Sequence, residues 1–316
     1  MSMWQHIYDG MAAWQRVIYT VGIIWSIWAI VSILRTSWYY LGKSYANMLD
    51  RYGRGSYALV SGCTEGIGKG FAEALAKRGF NLVLISRTQA KLDVLRDDIM
   101  SRHNIQVITI ALDFTKFDGY DRYEKMAQEL DEVDVSILVN NVGVDVVERF
   151  EDLKTQELRN LLMTNLNPLT WIQRFMLKKL ASRKRSAVIT VSSIAGRVPV
   201  HHMNAYSGTK SFGKMLSDCN AREYKNIDFI ALCPSKVSTA MNNYMPTNIF
   251  TVAVDQCVDS CINDLLRGYQ VTDGHLVHKI NSTLIRNLYP IFAFVWENYQ
   301  LAVMRKERNL PPPKII

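Results

Sequence analysis

Residues 57–86 read "YALVSGCTEGIGKGFAEALAKRGFNLVLIS", and this stretch decides the fold. A short apolar run at 57–61 is followed by a glycine-rich turn and an amphipathic helical pattern, and a second apolar run follows at 81–86. Two strand-like runs joined through one helix-length pattern are typical of a βαβ unit with parallel strands. The stretch therefore predicts an α/β fold.

The same alternation continues along the chain. Helical patterns of about a dozen or more residues separate further strand-like runs, which lie at 106–111, 135–139, 187–192 and 228–233. Successive βαβ units predict a doubly wound parallel sheet with helices on both faces. A short run after Asp273-Gly274, "HLVH" at 275–278, is predicted to be the last strand.

The glycine-rich turn, "SGCTEGIG" at 61–68, lies between the first strand and the first helix. Glycines let a backbone turn tightly and approach a pyrophosphate, which the N–H groups and the dipole of the following helix stabilise. Such turns are common, but one in this position indicates a dinucleotide site. The predicted cofactor-binding residues of the turn are Gly62, Thr64, Gly66, Ile67 and Gly68.

The end of the second strand, "LISRTQAK" at 84–91, indicates which dinucleotide is bound. A site that prefers NAD usually places an acid here to bond the ribose 2′-OH, and this chain has none at that point. Ser86, Arg87 and Lys91 could instead receive a 2′-phosphate, which predicts NADP(H) as the cofactor. The alternative is that Arg87 only caps the strand end.

A serine, a tyrosine and a lysine form the candidate catalytic group. Ser193 follows the fifth strand-like run, and Tyr206 and Lys210 lie one helical turn apart in "NAYSGTK", 204–210. The charge of Lys210 favours the tyrosinate form of Tyr206, so that Tyr206 could act as a general acid near neutral pH. The alternative reading of the pair is polar helix surface, because residues four apart share one face of any helix.

Together these motifs resemble the short-chain dehydrogenase/reductase family over residues 56–280. The glycine turn, "NNVG" at 140–143, Ser193 and Tyr206-x-x-x-Lys210 occur in the family's order and spacing. The resemblance implies a Rossmann-type fold in which Tyr206 donates a proton to a substrate carbonyl. It also implies that Ser193 polarises the carbonyl oxygen and that Lys210 bonds the nicotinamide ribose.

The same resemblance assigns roles to four further residues. Asn165 matches the asparagine that fixes a water in the proton relay, and Asn140 with the segment after it backs the adenosine. Asp113 would lie near the adenine, and Thr239 would contact the nicotinamide carboxamide.

Three positions depart from the family's pattern. Ser61 replaces a threonine in the glycine turn, and Ser235 stands where many members have glycine, before the loop that leads to Thr239. Pro168 removes a helical N–H, which predicts a kink beside Asn165.

The N-terminal part carries an apolar segment, "VIYTVGIIWSIWAIVSIL" at 17–34, without a charged residue. Its length of about 27 Å as a helix is enough to cross a hydrocarbon core, which predicts a membrane helix. A buried core helix, an interfacial helix and an uncleaved signal-like segment are the alternatives. Basic residues after the segment outnumber Arg16 before it, so the larger C-terminal part should face the cytoplasm or the mitochondrial matrix.

The apolar segment, "LISRTQAKL", "AREY" at 221–224 and "DGHLVH" resemble the membrane-bound branch of the family, with very-long-chain 3-oxoacyl-CoA reductases and 17β-hydroxysteroid dehydrogenases. The resemblance implies an NADPH-dependent reductase of long-chain 3-oxoacyl-CoA in fatty-acid elongation. The alternatives are a dehydrogenase of a steroid or another lipid ketone, and an accessory structural subunit of a membrane complex that keeps the fold.

The domain organisation follows: a membrane anchor and linker at 1–55, the dehydrogenase domain at 56–280, and an amphipathic tail at 281–316 associated with the membrane or the pocket. The endoplasmic reticulum is the expected location, with a mitochondrial membrane as the alternative. A homodimer and a membrane-complex partner both stay open.

Net charge and cysteine content indicate the class of partner and whether a metal is bound. A formal charge of +8 favours an anionic partner such as coenzyme A, and the basic runs do not resemble a nucleic-acid module. The five cysteines show neither a disulfide framework nor metal spacing, so we expect no bound metal. Cys257 and Cys261, one helical turn apart, are expected to pack inside a helix interface.

Overall fold

The computed structural model describes residues 12–41, 47–116, 119–248 and 250–283, together with residue 302. The chain divides into two units, residues 1–44 and 45–316. The first unit contains the helix α1, Ala13–Leu41. The predicted tail, 281–316, lies outside the described residues from 284 onward except at residue 302.

Helix α1 has the length and composition of a membrane span. Its stretch Ala13–Ser32 is 20 residues long with a mean hydropathy of 1.3, and none of it is buried. Large apolar side chains are exposed at the successive positions Ile23, Ile24 and Trp25, so more than one face of the helix is apolar. A helix that is hydrophobic all round is typical of a membrane span rather than of an amphipathic surface helix.

The second unit is built on a parallel sheet of seven strands in the order β3-β2-β1-β4-β5-β6-β9. The strands of this sheet are β1 Tyr57–Ser61, β2 Asn81–Ser86, β3 Val107–Ala111, β4 Val135–Asn140, β5 Ser186–Val191, β6 Ile227–Leu232 and β9 Val271–Thr272. A separate two-stranded pair consists of β7 Lys236–Val237 and β8 Thr251–Val252. The prediction of a doubly wound parallel sheet is confirmed.

Helices cover both faces of the sheet. They are α2 Met48–Tyr52, α3 Gly66–Lys77, α4 Gln89–Arg102, α5 Asp121–Glu129, α6 Thr155–Ala181, α7 Asn204–Glu223 and α8 Val254–Leu266. Alternate residues of a strand face opposite sides, and Ala58 and Val60 accordingly pack in one core cluster, with α3, α4 and α8. Leu59 packs in the other cluster, with α5 and α6. Cys257 and Cys261 are fully buried in the first cluster, as predicted.

The sheet has a topological switch point at β1. This strand pairs with β2 on one side and with β4 on the other, so the chain winds outward in both directions from it. In open α/β sheets ligands bind outside the carboxyl ends of the strands at such a point. The fold therefore places the glycine turn after β1 at the expected ligand crevice.

Helix α2 is bound at the amino ends of the strands, opposite the ligand crevice. The Tyr52 hydroxyl donates to Asp228 Oδ2 at 2.9 Å, and Arg51 Nε donates to the same oxygen at 2.8 Å. Asp228 is the second residue of β6 and also binds Arg185. The carboxylate thus fastens the segment before β1 to the amino ends of the central strands.

The last strand of the sheet does not lie where the sequence predicted it. The strand predicted at 275–278 is wrong: β9 is Val271–Thr272, and residues 276–283 are helical. Short apolar runs fit either element, and here Gly274, with φ of 71°, turns the chain between them. The predicted kink at Pro168 concerns α6. Pro168 lies inside this helix, which runs without a break from Thr155 to Ala181, and the kink beside Asn165 stays a prediction.

Candidate active site

A cavity of about 590 Å³ lies at the carboxyl ends of the strands. Most of the predicted site residues line it together: Gly62, Thr64, Gly66, Ile67, Arg87, Asp113, Ser193, Tyr206, Lys210 and Thr239. Gly68, Asn140 and Asn165 are outside the described lining. The sequence motifs thus converge on one site, although they are spread over about 180 residues of chain.

The glycine turn needs its glycines for two different reasons. Gly62 and Gly66 have φ of 65° and 57°, which side chains with a Cβ rarely adopt. A Cβ on Gly68 would lie 2.2 Å from the Gly62 carbonyl oxygen, so Gly68 lets α3 pack directly against the turn. The first two glycines shape the cavity wall, and Gly68 supports it from behind.

Polar and charged side chains line the cavity beside the carboxyl ends of β2 and β3. The hydroxyls of Thr64 and Ser86 lie 3.0 Å apart, and Arg87 follows Ser86 directly. Burial opposes ionisation of Asp113, but hydrogen bonds from the hydroxyl and amide of Thr115 and the charges of Lys116 and Arg87 outweigh it and lower the pKa of Asp113. Asp113 is therefore a carboxylate at neutral pH.

Lys210 is buried beneath the ring of Tyr206 on α7. Its ammonium lies 5.7 Å from the centroid of that ring and donates to the carbonyl of Val191 at 3.0 Å. Burial lowers the pKa of Lys210 to about 8, and the charge of Asp145 acts in the opposite direction. A lysine with this pKa carries its charge through most of the neutral range.

Backbone contacts enclose Lys210. A Cβ on Gly143 would lie 2.9 Å from the Lys210 ammonium nitrogen, and one on Gly196 would lie 2.8 Å from the Lys210 carbonyl. Ser192, which the sequence did not single out, is buried and donates to the Lys210 carbonyl at 2.7 Å. Two serines in succession after β5 were the sequence signal for this contact. Consecutive residues at a strand end point in opposite directions, so the two side chains face different partners.

Ser193 caps the short 3₁₀ helix Ile194–Gly196. Its hydroxyl oxygen accepts from the amide of Ala195 at 3.2 Å and lines the cavity with Tyr206. The arrangement leaves the hydroxyl hydrogen of Ser193 to be directed at a ligand oxygen.

Asn165 holds two elements together behind the cavity. Its Oδ1 accepts from the Val144 amide at 2.8 Å, and its Nδ2 donates to the Val144 carbonyl and to the Thr209 hydroxyl, each at 2.9 Å. It thereby joins α6, the loop after β4 and α7. Thr209 lies within "NAYSGTK" and Val144 directly follows "NNVG", but the sequence does not show that either residue binds Asn165.

Asn140 and Asn141 have separate surroundings. Asn140 Nδ2 donates to Gln173 Oε1 of α6 at 2.9 Å, and the large cavity is lined by its neighbour Asn141 instead. Asn141 Nδ2 donates to the carbonyls of Ser61 and Gly62 at 3.1 and 3.0 Å. Alternation along β4 explains the difference, so Asn141 rather than Asn140 supports the glycine turn from the cavity side.

The remaining part of the cavity is largely apolar. Thr239 precedes the 3₁₀ helix Ala240–Asn242, and its Cγ2 would lie 3.3 Å from a Cβ on Gly66, so this loop reaches the glycine turn despite Ser235. The apolar lining includes Val144, Val198, Val200, Met203, Met241 and Met245. Ketones with a long or bulky apolar substituent suit such a wall.

The geometry fits a nicotinamide dinucleotide. The glycine turn and the N-terminus of α3 form a cradle that side chains would fill, and polar residues at the end of β2 lie on one side of it. Tyr206 and Ser193 lie on the other side, where a carbonyl could meet both. This order of subsites matches a hydride-transfer site at the switch point of an open sheet.

Comparisons with known proteins agree with this geometry. The family model for short chain dehydrogenases matches residues 56–249. The chain is 35% identical over 243 residues to a very-long-chain 3-oxoacyl-CoA reductase of Macaca fascicularis, covering 75% of this chain and 76% of the relative. It is 33% identical over 266 residues to human 17-beta-hydroxysteroid dehydrogenase type 3, covering 83% of each.

A solved structure supports the fold. A short-chain dehydrogenase from Sphingobium yanoikuyae in complex with NADPH superposes with a TM-score of 0.64 at 22% identity, over 83% of this chain and 98% of that one. The chain belongs to the short-chain dehydrogenase family and is an oxidoreductase that acts on CH–OH or C=O groups with a nicotinamide cofactor.

Proposed function

We propose that this protein is a membrane-anchored, NADPH-dependent reductase that converts a long-chain 3-oxoacyl-CoA to the 3-hydroxyacyl-CoA in fatty-acid elongation. The observation that carries the proposal is the cavity, in which Ser193, Tyr206 and Lys210 meet an apolar wall. The relatives named very-long-chain 3-oxoacyl-CoA reductase add support at about 35% identity. A basic chain also suits a polyanionic coenzyme A ester.

The chemistry assigned to the residues is ketone reduction. When bound, the cofactor supplies the hydride that adds to the carbonyl carbon. Tyr206 donates its hydroxyl proton to the carbonyl oxygen, while Ser193 donates a hydrogen bond that orients the same oxygen. The Lys210 ammonium stabilises the tyrosinate left behind and bonds the nicotinamide ribose.

The proposed cofactor contacts follow the cavity. Asn165 is assigned a positioning role, because its side chain holds the loop after β4 against α7. Of the predicted segment that begins at Asn140, Asn141 lines the cavity and is proposed to face the adenosine side. The other cofactor-binding residues are Gly62, Thr64, Gly66, Ile67, Arg87, Asp113, Lys210 and Thr239, with Gly68 shaping the turn.

NADPH is favoured over NADH by the end of β2. Ser86 and Arg87 line the cavity there without an acid at the adjacent positions, and Lys91 enters from the first turn of α4. Arginine and lysine both suit a phosphate. A clear preference for NADH in Michaelis constants would contradict this part of the proposal.

The membrane part of the proposal rests on α1. Its apolar stretch Ala13–Ser32 fits a single span, and the excess of basic residues after it supports a domain on the cytoplasmic side. The endoplasmic reticulum is the membrane we propose. We divide the chain functionally into an anchor with linker, 1–55, a catalytic domain, 56–280, and a C-terminal tail, 281–316.

A steroid or another lipid ketone is the second candidate substrate. The apolar wall of the cavity accommodates a steroid as well as an acyl chain. The relative named 17-beta-hydroxysteroid dehydrogenase type 3 matches over 83% of this chain. The two substrates differ in the coenzyme A group, which only the first carries.

The test is NADPH oxidation by the full-length, detergent-solubilised protein, with a long-chain 3-oxoacyl-CoA and a steroid ketone in parallel. We expect turnover with the thioester, and a loss of about a hundredfold or more in Tyr206→Phe, which lacks the donated proton. Turnover with the steroid alone would move the assignment to the second candidate. Cofactor binding without turnover on either ketone would favour a structural subunit.

A further inference from the structure

An exposed ion pair lies at the rim of the cofactor end of the cavity. The Lys91 ammonium is 2.6 Å from Glu65 Oε1, and both residues line the cavity. Glu65 belongs to the glycine-rich turn and precedes α3, whereas Lys91 is in the first turn of α4. The pair therefore joins the turn that cradles the phosphates to the helix that follows β2.

This end of the cavity carries two acids and two bases. Arg87 is close enough to Asp113 for its charge to contribute to lowering the pKa of Asp113, and Lys91 bonds Glu65 directly. Both bases thus have a nearby carboxylate. An incoming 2′-phosphate would meet a region of roughly balanced charge rather than two uncompensated cations.

The two acids are held differently. Asp113 Oδ1 accepts from the hydroxyl of Thr115 at 2.8 Å and from its amide at 3.0 Å, which fixes the carboxylate on its own turn. The bond between Glu65 and Lys91 joins two side chains that are 51% and 59% exposed. Exposed ion pairs are weak, so a phosphate can compete with Glu65 for Lys91.

We propose that Glu65 determines how strongly the site discriminates between phosphorylated and unphosphorylated nicotinamide dinucleotides. It does so by neutralising Lys91, which must give up or share this bond when a 2′-phosphate arrives. The inference rests on the proposed function in one respect, namely that the 2′-phosphate is received at the end of β2. Glu65 thus influences cofactor specificity indirectly, through the charge of Lys91, and does not itself contact the phosphate.

The experiment measures dissociation constants of NADPH and NADH for the full-length solubilised protein. The informative quantity is the ratio of the NADH constant to the NADPH constant. We expect Glu65→Gln to raise this ratio about fivefold through tighter NADPH binding, since it removes one negative charge near the phosphate. We expect Lys91→Met to lower the ratio and to reduce the effect of Glu65→Gln in the double variant to within about twofold.

A matched control is available between α3 and α4. Glu73 of α3 pairs with Arg102 of α4 at 2.8 Å, and neither belongs to the described lining of the cavity. Glu73→Gln also removes one negative charge from an ion pair and should leave the ratio unchanged. Salt provides a second check, because at about 1 M, where the Debye length is about 3 Å, the effect of Glu65→Gln should shrink.

The outcomes separate this inference from the proposed NADPH preference. A wild type that binds NADH more tightly would contradict the proposed preference, yet the ratio could still rise in Glu65→Gln. An unchanged ratio in Glu65→Gln overturns the inference whichever dinucleotide the wild type prefers. A lower ratio would also overturn it, because Glu65 would then orient Lys91 toward the phosphate.

Discussion

The protonation behaviour of a side chain at this site depends on its surroundings more than on its residue type. Lys210 is an ordinary lysine in sequence, but burial lowers its pKa to about 8, while the charge of Asp145 opposes that change. Its charge is then lost within a range in which the enzyme can be assayed. The pH dependence of the reaction thereby becomes a probe of one residue.

We expect kcat/KM for ketone reduction to fall as the pH rises above about 8, since the lysine that stabilises the tyrosinate loses its proton there. Asp145→Asn should move this alkaline limb to lower pH, because removal of a nearby negative charge disfavours the ammonium. The measurement is kcat/KM from pH 6 to 10 for both proteins. An alkaline limb at the same pH in Asp145→Asn would show that Lys210 does not set it.

For single residues, the sequence predicted which side chains line the site but not the hydrogen bonds that fix them. The spacing of the motifs predicted a common site for Ser193, Tyr206 and Lys210, and all three line one cavity. The contacts of Ser192 and the different surroundings of Asn140 and Asn141 depend on which face of a strand end each side chain occupies. That orientation is set by packing against α6 and α7 and leaves no separate mark in the sequence.

Elements are positioned by close approaches that only glycine allows. In α3, a Cβ on Gly68 would meet the Gly62 carbonyl at 2.2 Å, whereas in α7 a Cβ on Gly208 would meet nothing within 4 Å. The two glycines are both helical, yet they restrict their helices differently. One is needed for packing, and the other only weakens its helix.

The pair makes a matched test of that difference. Gly68→Ala should destabilise the fold by about 2 kcal/mol, because the helix must move away from backbone atoms, and should weaken cofactor binding. Gly208→Ala should instead raise stability by up to about 1 kcal/mol, since alanine favours the helix. Thermal unfolding of both variants beside the wild type checks the signs. Equal destabilisation by both substitutions would contradict the packing argument.

The strands of the main sheet up to β6 were predicted to within one residue at each end, because buried parallel strands are apolar along their whole length. The last strand was misplaced, since β9 has two residues and pairs only Val271 with Ala231 and Thr272 with Leu232. So short a strand has no periodicity of its own. Its place is decided by the neighbouring β6.

For the whole molecule, one topological rule places the active site. The winding of the sheet reverses at β1, and the residues at the carboxyl ends of six strands, β1 to β6, therefore face the same crevice. This is why a site spread along the chain was predictable from the order of its motifs. The proposed membrane attachment, by contrast, rests on α1, which belongs to a separate unit, residues 1–44, and contains none of the catalytic residues.

That separation predicts that attachment and catalysis can be uncoupled. Replacing both Ile23 and Ile27 by aspartate puts two charges near the middle of Ala13–Ser32, at a cost of about 2.5–3.5 kcal/mol each for a spanning helix. We expect this variant to leave the membrane pellet on alkaline carbonate extraction while keeping its cofactor affinity in detergent. Val94→Asp, on the exposed surface of α4, is the control and should remain in the pellet with the wild type. Retention of the double variant would mean that another part of the chain holds the protein to the membrane, since α1 could no longer span it.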